Sequence, residues 1–249
     1  MDLNADVGEG FGIWRLGDDE ALLSVVTSAN VACGFHGGDA VTLRRVCQSA
    51  AARGVSVGAQ VSYRDLAGFG RRRIDYQPNE LTDEVVYQIG ALDGLCRVSG
   101  TRVRYVKPHG ALYHSCVTDE VQAAAVVRAV REYDPGLPVL GAPGSALLRL
   151  ATEVGLSAVP EGFADRAYLA DGGLVSRTEV GAVLHDPEVV AERAVRMIGD
   201  REVETVDGAA VALDIRSLCV HGDTPGAVGL AVAVRQALAD GGFVLEPFA

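Results

Sequence analysis

The feature that most constrains this chain is a recurring unit: a short apolar run, then glycine and polar residues, then a helical pattern. Residues 39–53 show it. Leu43, Val46, Cys47, Ala50 and Ala51 fall at i, i+3, i+4, i+7 and i+8, one face of a helix. Asp39 stands where an N-cap belongs, and Gly54 where a helix-ending glycine belongs. VSVGAQ then reads as a strand. Ala123, Val126, Val127 and Val130 mark a second helix, ended by Asp134-Pro135-Gly136 before the strand LPVLG. Asp186-Pro187 opens a third, with Val190, Ala194, Met197 and Ile198 as its buried stripe. A last helix covers 226–239. Candidate strands lie near 1–5, 26–33, 55–60, 103–107, 138–141, 156–160 and 216–220. Seven strands, mostly separated by helices, predict a parallel sheet. A closed or nearly closed barrel and an open doubly wound sheet both fit this pattern. Segment 201–214 reads as a small irregular excursion.

No Pro/Ser-rich linker or charge block divides the chain, so one domain over 1–249 is expected. That length suits an α/β barrel, which typically takes about 250 residues. The formal charge, 22 − 33 = −11, excludes binding to nucleic acid or anionic membrane by bulk electrostatics. An anionic ligand therefore needs a local basic cluster. The start, MDLNADVGEG, does not read as a signal peptide. The apolar run AVGLAVAV has eight residues, too few to span a bilayer. Five cysteines, an odd number, fit a reducing compartment better than a disulfide framework. A cytoplasmic protein is expected.

In parallel α/β folds the active site forms at the carboxyl ends of the strands. After the first strand come Asn4, Asp6 and Glu9; after the second, Asn30, Cys33, His36 and Asp39. The third gives Gln60, Tyr63 and Asp65, and the fourth Lys107 and His109. The sixth gives Glu161, Asp165 and Arg166, and the seventh His221 and Asp223. Three of the five histidines thus lie just past a strand. Some of these residues have plainer jobs. Asp39 reads as a helix cap, and Cys33 as packing at a strand end. Cys33-x-x-His36 has no second pair at zinc-finger spacing. GEGFG fails as a dinucleotide fingerprint because its third glycine would fall at Ile13, and no P-loop is present. Arg71, Arg72 and Arg73, in GFGRRRIDY, are the basic cluster that could pair with carboxylate or phosphate.

The blocks DLNADVGEGFG, SANVACGFHGGD, SYRDLAGFGRR, YQIGAL, VKPHGALY, EGFADRAY and CVHGDTPGA resemble the LamB/YcsF family, in its order, across residues 2–227. The resemblance implies a distorted seven-stranded (β/α) barrel of the glycoside hydrolase/deacetylase group. It also implies work within a bacterial ATP-dependent 5-oxoprolinase: cleavage of the lactam 5-oxoproline to glutamate, with ATP as co-substrate, Mg2+, and two partner subunits, B and C. One block departs from the family, which commonly has G-A-H-P-S where this chain has Gly58-Ala59-Gln60-Val61-Ser62. Deacetylases of the wider group use an Asp/His/His metal site. Asp6 and His36 can offer two such ligands, but Gln60 is a poor third, which argues against a tight metal. On this reading Lys107, Arg71 and Arg72 stabilise phosphate or the substrate carboxylate. His36, His109 or His221 moves protons, with Asp6 or Asp223 as partner. Asn4, Asn30, Glu9, Gln60, Asp165 and Arg166 complete the expected binding set. Two rivals remain: a metal-dependent deacetylase or amidase without ATP, and a lactam-binding subunit that performs no chemistry.

Overall fold

Period-two alternation in β1 (Asp2–Val7) sets the plan of the molecule. Successive side chains of a strand point to opposite faces, so DLNADV sends Leu3, Ala5 and Val7 one way and Asp2, Asn4 and Asp6 the other. All six are buried. The apolar set joins the main hydrophobic core with the helices; the polar set lines the inside of a barrel. The computed structural model describes residues 1–222 and 226–249; Asp223 lies outside them.

The chain continues through β2 (Ser28–Ala32), β3 (Ser56–Val61), β4 (Val103–Pro108), β5 (Val139–Gly141) and β6 (Ala158–Phe163). A separate antiparallel pair, β7 (Glu202–Glu204) and β8 (Ala210–Ala212), occupies the stretch expected to be irregular. β9 (Ser217–Val220) then pairs in parallel with both β6 and β1. That double pairing decides between the two sheet types. The sheet closes as β1-β2-β3-β4-β5-β6-β9 among the described residues, which is the seven-stranded barrel expected.

The helices are α1 (Asp19–Leu23), α2 (Ala40–Arg53), α3 (Pro78–Val98), α4 (Gly110–Thr118), α5 (Glu120–Tyr133), α6 (Ala146–Glu153), α7 (Pro187–Gly199) and α8 (Ala227–Asp240). Local chemistry fixes their ends. The Asp39 carboxylate accepts from the Val41 and Thr42 amides, and Gly54 closes α2 at φ 68°. Asp186 caps α7 ahead of Pro187. α7 buries Val190, Ala194 and Met197 on one stripe.

The barrel interior is polar, whereas branched apolar residues usually fill such interiors. Tyr105 Oη donates to Asn30 Oδ1 (2.6 Å), and Asn30 Nδ2 donates to Asn4 Oδ1 (2.7 Å) and Asp6 Oδ1 (2.8 Å). Asn4 Nδ2 donates to Ser217 Oγ (2.6 Å). The network needs room for the Tyr105 ring. Gly58 supplies it: a Cβ there would lie 2.1 Å from the ring. Gly58→Ala is therefore expected to cost about 1–3 kcal/mol, the usual cost of overpacking, read as a lower urea midpoint at unchanged m-value.

Candidate active site

A cavity of about 570 Å³ opens at the carboxyl ends of the strands. Its wall includes Asp6 from β1, Gln60 from β3, Lys107 from β4, Phe163 from β6 and His221 after β9. Five strands separated by up to 215 positions thus meet at one mouth. The segment 164–186 builds the outer wall with Leu169, Leu174 and Val175.

Lys107 is the centre of charge. Its Nζ donates to Glu161 Oε2 (2.8 Å) and lies 3.6 Å from Asp6 Oδ1. It also reaches Asn4 Oδ1 (3.4 Å) and Cys219 Sγ (3.3 Å). Burial opposes the ammonium charge, but Cys219 and the two carboxylates outweigh it and raise the Lys107 pKa. Asp6 is likewise opposed by burial, yet Lys107, His221 and Asn30 hold its pKa below the usual range. Burial dominates at Glu161 and raises it despite Lys107.

Beside this cluster stands a dyad. His221 Nδ1 lies 2.9 and 3.0 Å from the Asp165 carboxylate oxygens. Burial works against the Asp165 charge, but His221 outweighs it and keeps the carboxyl ionised. An ionised carboxylate only accepts, so Nδ1 donates to Asp165 and Nε2 is left outside that bond. The imidazole stacks on Phe163 with centroids 5.1 Å apart. It is a fixed ring whose Nε2 is not engaged by Asp165.

His36 and His109 form a second pair. Their rings stack at 3.8 Å and 14°, and both Nε2 atoms approach Glu9 Oε1, at 3.3 and 3.6 Å. Phe69 meets both rings edge-on, from a backbone at φ 55°. Burial lowers the His36 pKa to about 4. Burial, then His36 itself and Arg71, push His109 well below its usual value. Both rings are neutral at neutral pH. The unfolded chain takes up the His36 proton near 6.5, so stability is full above that pH and is lost as pH falls toward 4. The expected loss from His36 is about 3 kcal/mol, at 1.36 kcal/mol per unit. Urea midpoints at pH 7 and pH 4.5 check this, and His36→Gln is expected to flatten the difference.

Donor atoms of Glu9, His36 and His109 lie within 4.8 Å of one another, so a metal must be considered. The arrangement does not fit one. An imidazole binds a metal in its own plane, and near-parallel stacked planes do not share such a point. Ligating histidines also usually donate their second nitrogen to an acceptor; both Nδ1 atoms here lack a partner among the described residues. Asp6 is held by Lys107 and Asn30 rather than poised with His36.

The expected site residues divide into three groups. Asp6, Gln60, Arg71, Lys107, His109 and His221 line the cavity. Glu9, His36 and Asp165 stand directly behind, touching His109 or His221. Four other residues of the expected binding set are engaged by neighbours within the protein. The amides of Asn4 and Asn30 bond within the barrel and orient Asp6 and Lys107. Arg72 turns outward, its side chain 67% exposed, and pairs with Asp65. Arg166 borders the cavity, but its guanidinium donates to the carbonyls of Val175 and Ala182 and braces the outer wall. Asp223 lies outside the described residues. Gln60 is fully buried, with neither amide atom hydrogen-bonded among the described residues.

Tyr113, His114 and Arg177 are among the lining residues that escape the strand-end rule. Tyr113 and His114 sit one turn into α4, and Tyr113 follows His109 by four positions. Helical spacing places it on the same side as His109. Arg177 lies in the irregular wall, where no periodicity marks it.

Comparison with known proteins agrees with this geometry. The LamB/YcsF family model matches residues 1–249. The A subunit of 5-oxoprolinase from Streptomyces avermitilis is 61% identical over 249 residues, covering all of both chains. Its counterpart from Mycolicibacterium gilvum is 58% identical over 248 residues, covering all of this chain and 98% of the relative. The crystal structure of a lactam utilization protein from Thermus thermophilus superposes with a TM-score of 0.94 at 43% identity, over 99% of each chain. A peptidoglycan N-acetylglucosamine deacetylase domain from Eubacterium rectale shares the fold, with a TM-score of 0.52 at 12% identity over all of this chain and 87% of that one. The chain belongs to the LamB/YcsF family.

Proposed function

We propose that the chain is the A subunit of an ATP-dependent 5-oxoprolinase and that the lactam ring opens in the cavity between Lys107 and His221. The observation that carries this reading is the His221–Asp165 dyad facing the same cavity as the buried Lys107–Glu161–Asp6 cluster. Relatives that bear the 5-oxoprolinase name, at about three-fifths identity over the full chain, supply the substrate.

The chemistry follows from the groups present. A lactam amide is resonance-stabilised, and its carbon resists attack by water. His221 Nε2 takes a proton from water as the water oxygen adds to the lactam carbon. Lys107 holds the negative charge that moves onto the lactam oxygen. The C–N bond then breaks, and the proton on His221 passes to the departing nitrogen. ATP phosphorylates the lactam oxygen, at the stage of the lactam or of its water adduct, and releases ADP; when the C–N bond breaks, the phosphate stays on the new carboxyl as an acyl phosphate, and a second water displaces it to give glutamate and inorganic phosphate. Arg71, on the cavity wall, is the cation placed to meet the phosphate or the substrate carboxylate.

Two partner subunits, B and C, complete the enzyme and bring ATP with Mg2+. No tightly bound cofactor is part of the proposal, since the Glu9–His36–His109 arrangement does not fit a metal. The cytoplasm is the proposed location; no helix among the described residues is long and apolar enough to cross a membrane.

The test is formation of glutamate and ADP from 5-oxoproline, by the chain alone and with its partner subunits. Glutamate and ADP are expected in equal amounts from the assembled enzyme. ATP-independent amide hydrolysis by the chain with added zinc would favour a deacetylase instead.

A further inference from the structure

Tyr113 is 7% exposed, lines the cavity, and packs edge-to-face against Phe163 at 5.7 Å. Its hydroxyl is buried and makes no hydrogen bond of full geometry among the described residues, although Glu161 lies close enough to draw on it weakly as an acceptor. Glu161 Oε1, a neighbouring acceptor, is also without a partner, although Oε2 of the same carboxylate holds Lys107. A buried polar atom left unpaired weakens a fold. Phenylalanine would fill the same space without that cost. Tyr113 lines the cavity, so its hydroxyl is a donor not spent on the protein, set beside whatever the cavity receives.

Three further points give its direction. Tyr113 and Lys107 line one cavity, and Lys107 lies 5.3 Å from the centre of the Phe163 ring against which Tyr113 packs. Burial, followed by the nearby Glu161 charge, raises the phenol pKa well above its usual value, so the group remains a donor at any working pH. The ring belongs to α4, which is tied to the barrel mouth where Ala111 N donates to Gly70 O (2.8 Å). The donor is thus held on a rigid element, as stabilising a developing charge requires.

We infer that Tyr113 is a catalytic residue whose hydroxyl, together with the Lys107 ammonium, binds the oxygen of a cyclic amide and the charge that gathers there. The inference rests on the proposed lactam-opening reaction. As water adds to the lactam carbon, the carbonyl π electrons move to the oxygen, and the proton from water goes to His221. Tyr113 donates a hydrogen bond without giving up its proton.

The experiment is Tyr113→Phe, measured in two ways. In the assembled enzyme, kcat for glutamate formation from 5-oxoproline is expected to fall about 10²-fold or more, the usual effect of removing one such donor, with KM little changed. The melting temperature of the full chain is expected to stay level or rise, because no hydrogen bond of full geometry is lost. A kcat within about twofold of wild type, far below that donor effect, would overturn the inference. So would a melting temperature lowered by several degrees, which would give the hydroxyl a structural partner. Failure of the wild-type enzyme to form glutamate would instead remove the proposed reaction beneath it.

Discussion

Replacing Lys107 by methionine is expected to destabilise the protein by about 3–5 kcal/mol at neutral pH, the usual consequence of leaving buried charge without its partner. Lys107 is 3% exposed and faces Glu161 and Asp6, themselves 1% and 7% exposed. Methionine keeps the side chain's length and bulk, so lost packing contributes little. The deficit comes from two carboxylates held together with no cation between them. Their folded pKa values then rise above the unfolded ones, since burial and mutual repulsion both oppose ionisation. The folded variant binds protons that the unfolded chain does not, so acidification stabilises it. The gap to wild type is expected to narrow as pH falls from 7 toward 5. Urea denaturation of both proteins across that range checks the sign. Glu161→Gln in the Lys107→Met background is expected to recover part of the loss at neutral pH.

His221→Asn is expected to lower kcat for 5-oxoproline by about 10²–10⁴, the range of general acid–base catalysis, while leaving KM nearly unchanged. Asn cannot take the proton from water. Asp165→Asn is expected to act through the same ring. It replaces a carboxylate that only accepts from Nδ1, at 2.9 and 3.0 Å, with a neutral amide that can also donate and so no longer fixes the proton there. The two residues act as one unit, so their losses are not additive. The double variant is expected to be no slower than His221→Asn alone. Multiplication of the two losses would show that Asp165 contributes independently, and that the dyad is not the base.

The barrel was legible because alternation and capping are local. DLNADV already separates an apolar face from a polar one, and Asp39, Gly54 and Asp186 each stand at the helix end they mark. Closure was not legible. It rests on β9 pairing with β1 across more than two hundred residues, and no local pattern separates that from an open sheet. The antiparallel pair β7–β8 was hidden because each strand has only three residues.

The site was legible by position and less so by role. The strand-end rule finds Asp6, Lys107, His109 and His221, since a parallel barrel gathers every strand's carboxyl end at one face. It does not say how deep a residue sits. Asn4 and Asn30 lie in the same strands as Asp6 and Ala32, lower in the barrel, and neighbours consume their amides. Nor does a run of arginines reveal which one turns inward: Arg71 reaches the cavity while Arg72 pairs with Asp65. Tyr113 and Arg177 lie on a helix and a wall segment, outside the rule altogether.

The most direct test of the account is a crystal structure of the chain soaked with 5-oxoproline. The lactam ring is expected in the cavity at the strand ends, its oxygen within hydrogen-bond reach of Lys107 Nζ and its carbon facing His221 Nε2. Density for the ring elsewhere on the molecule, with that cavity holding only solvent, would contradict it.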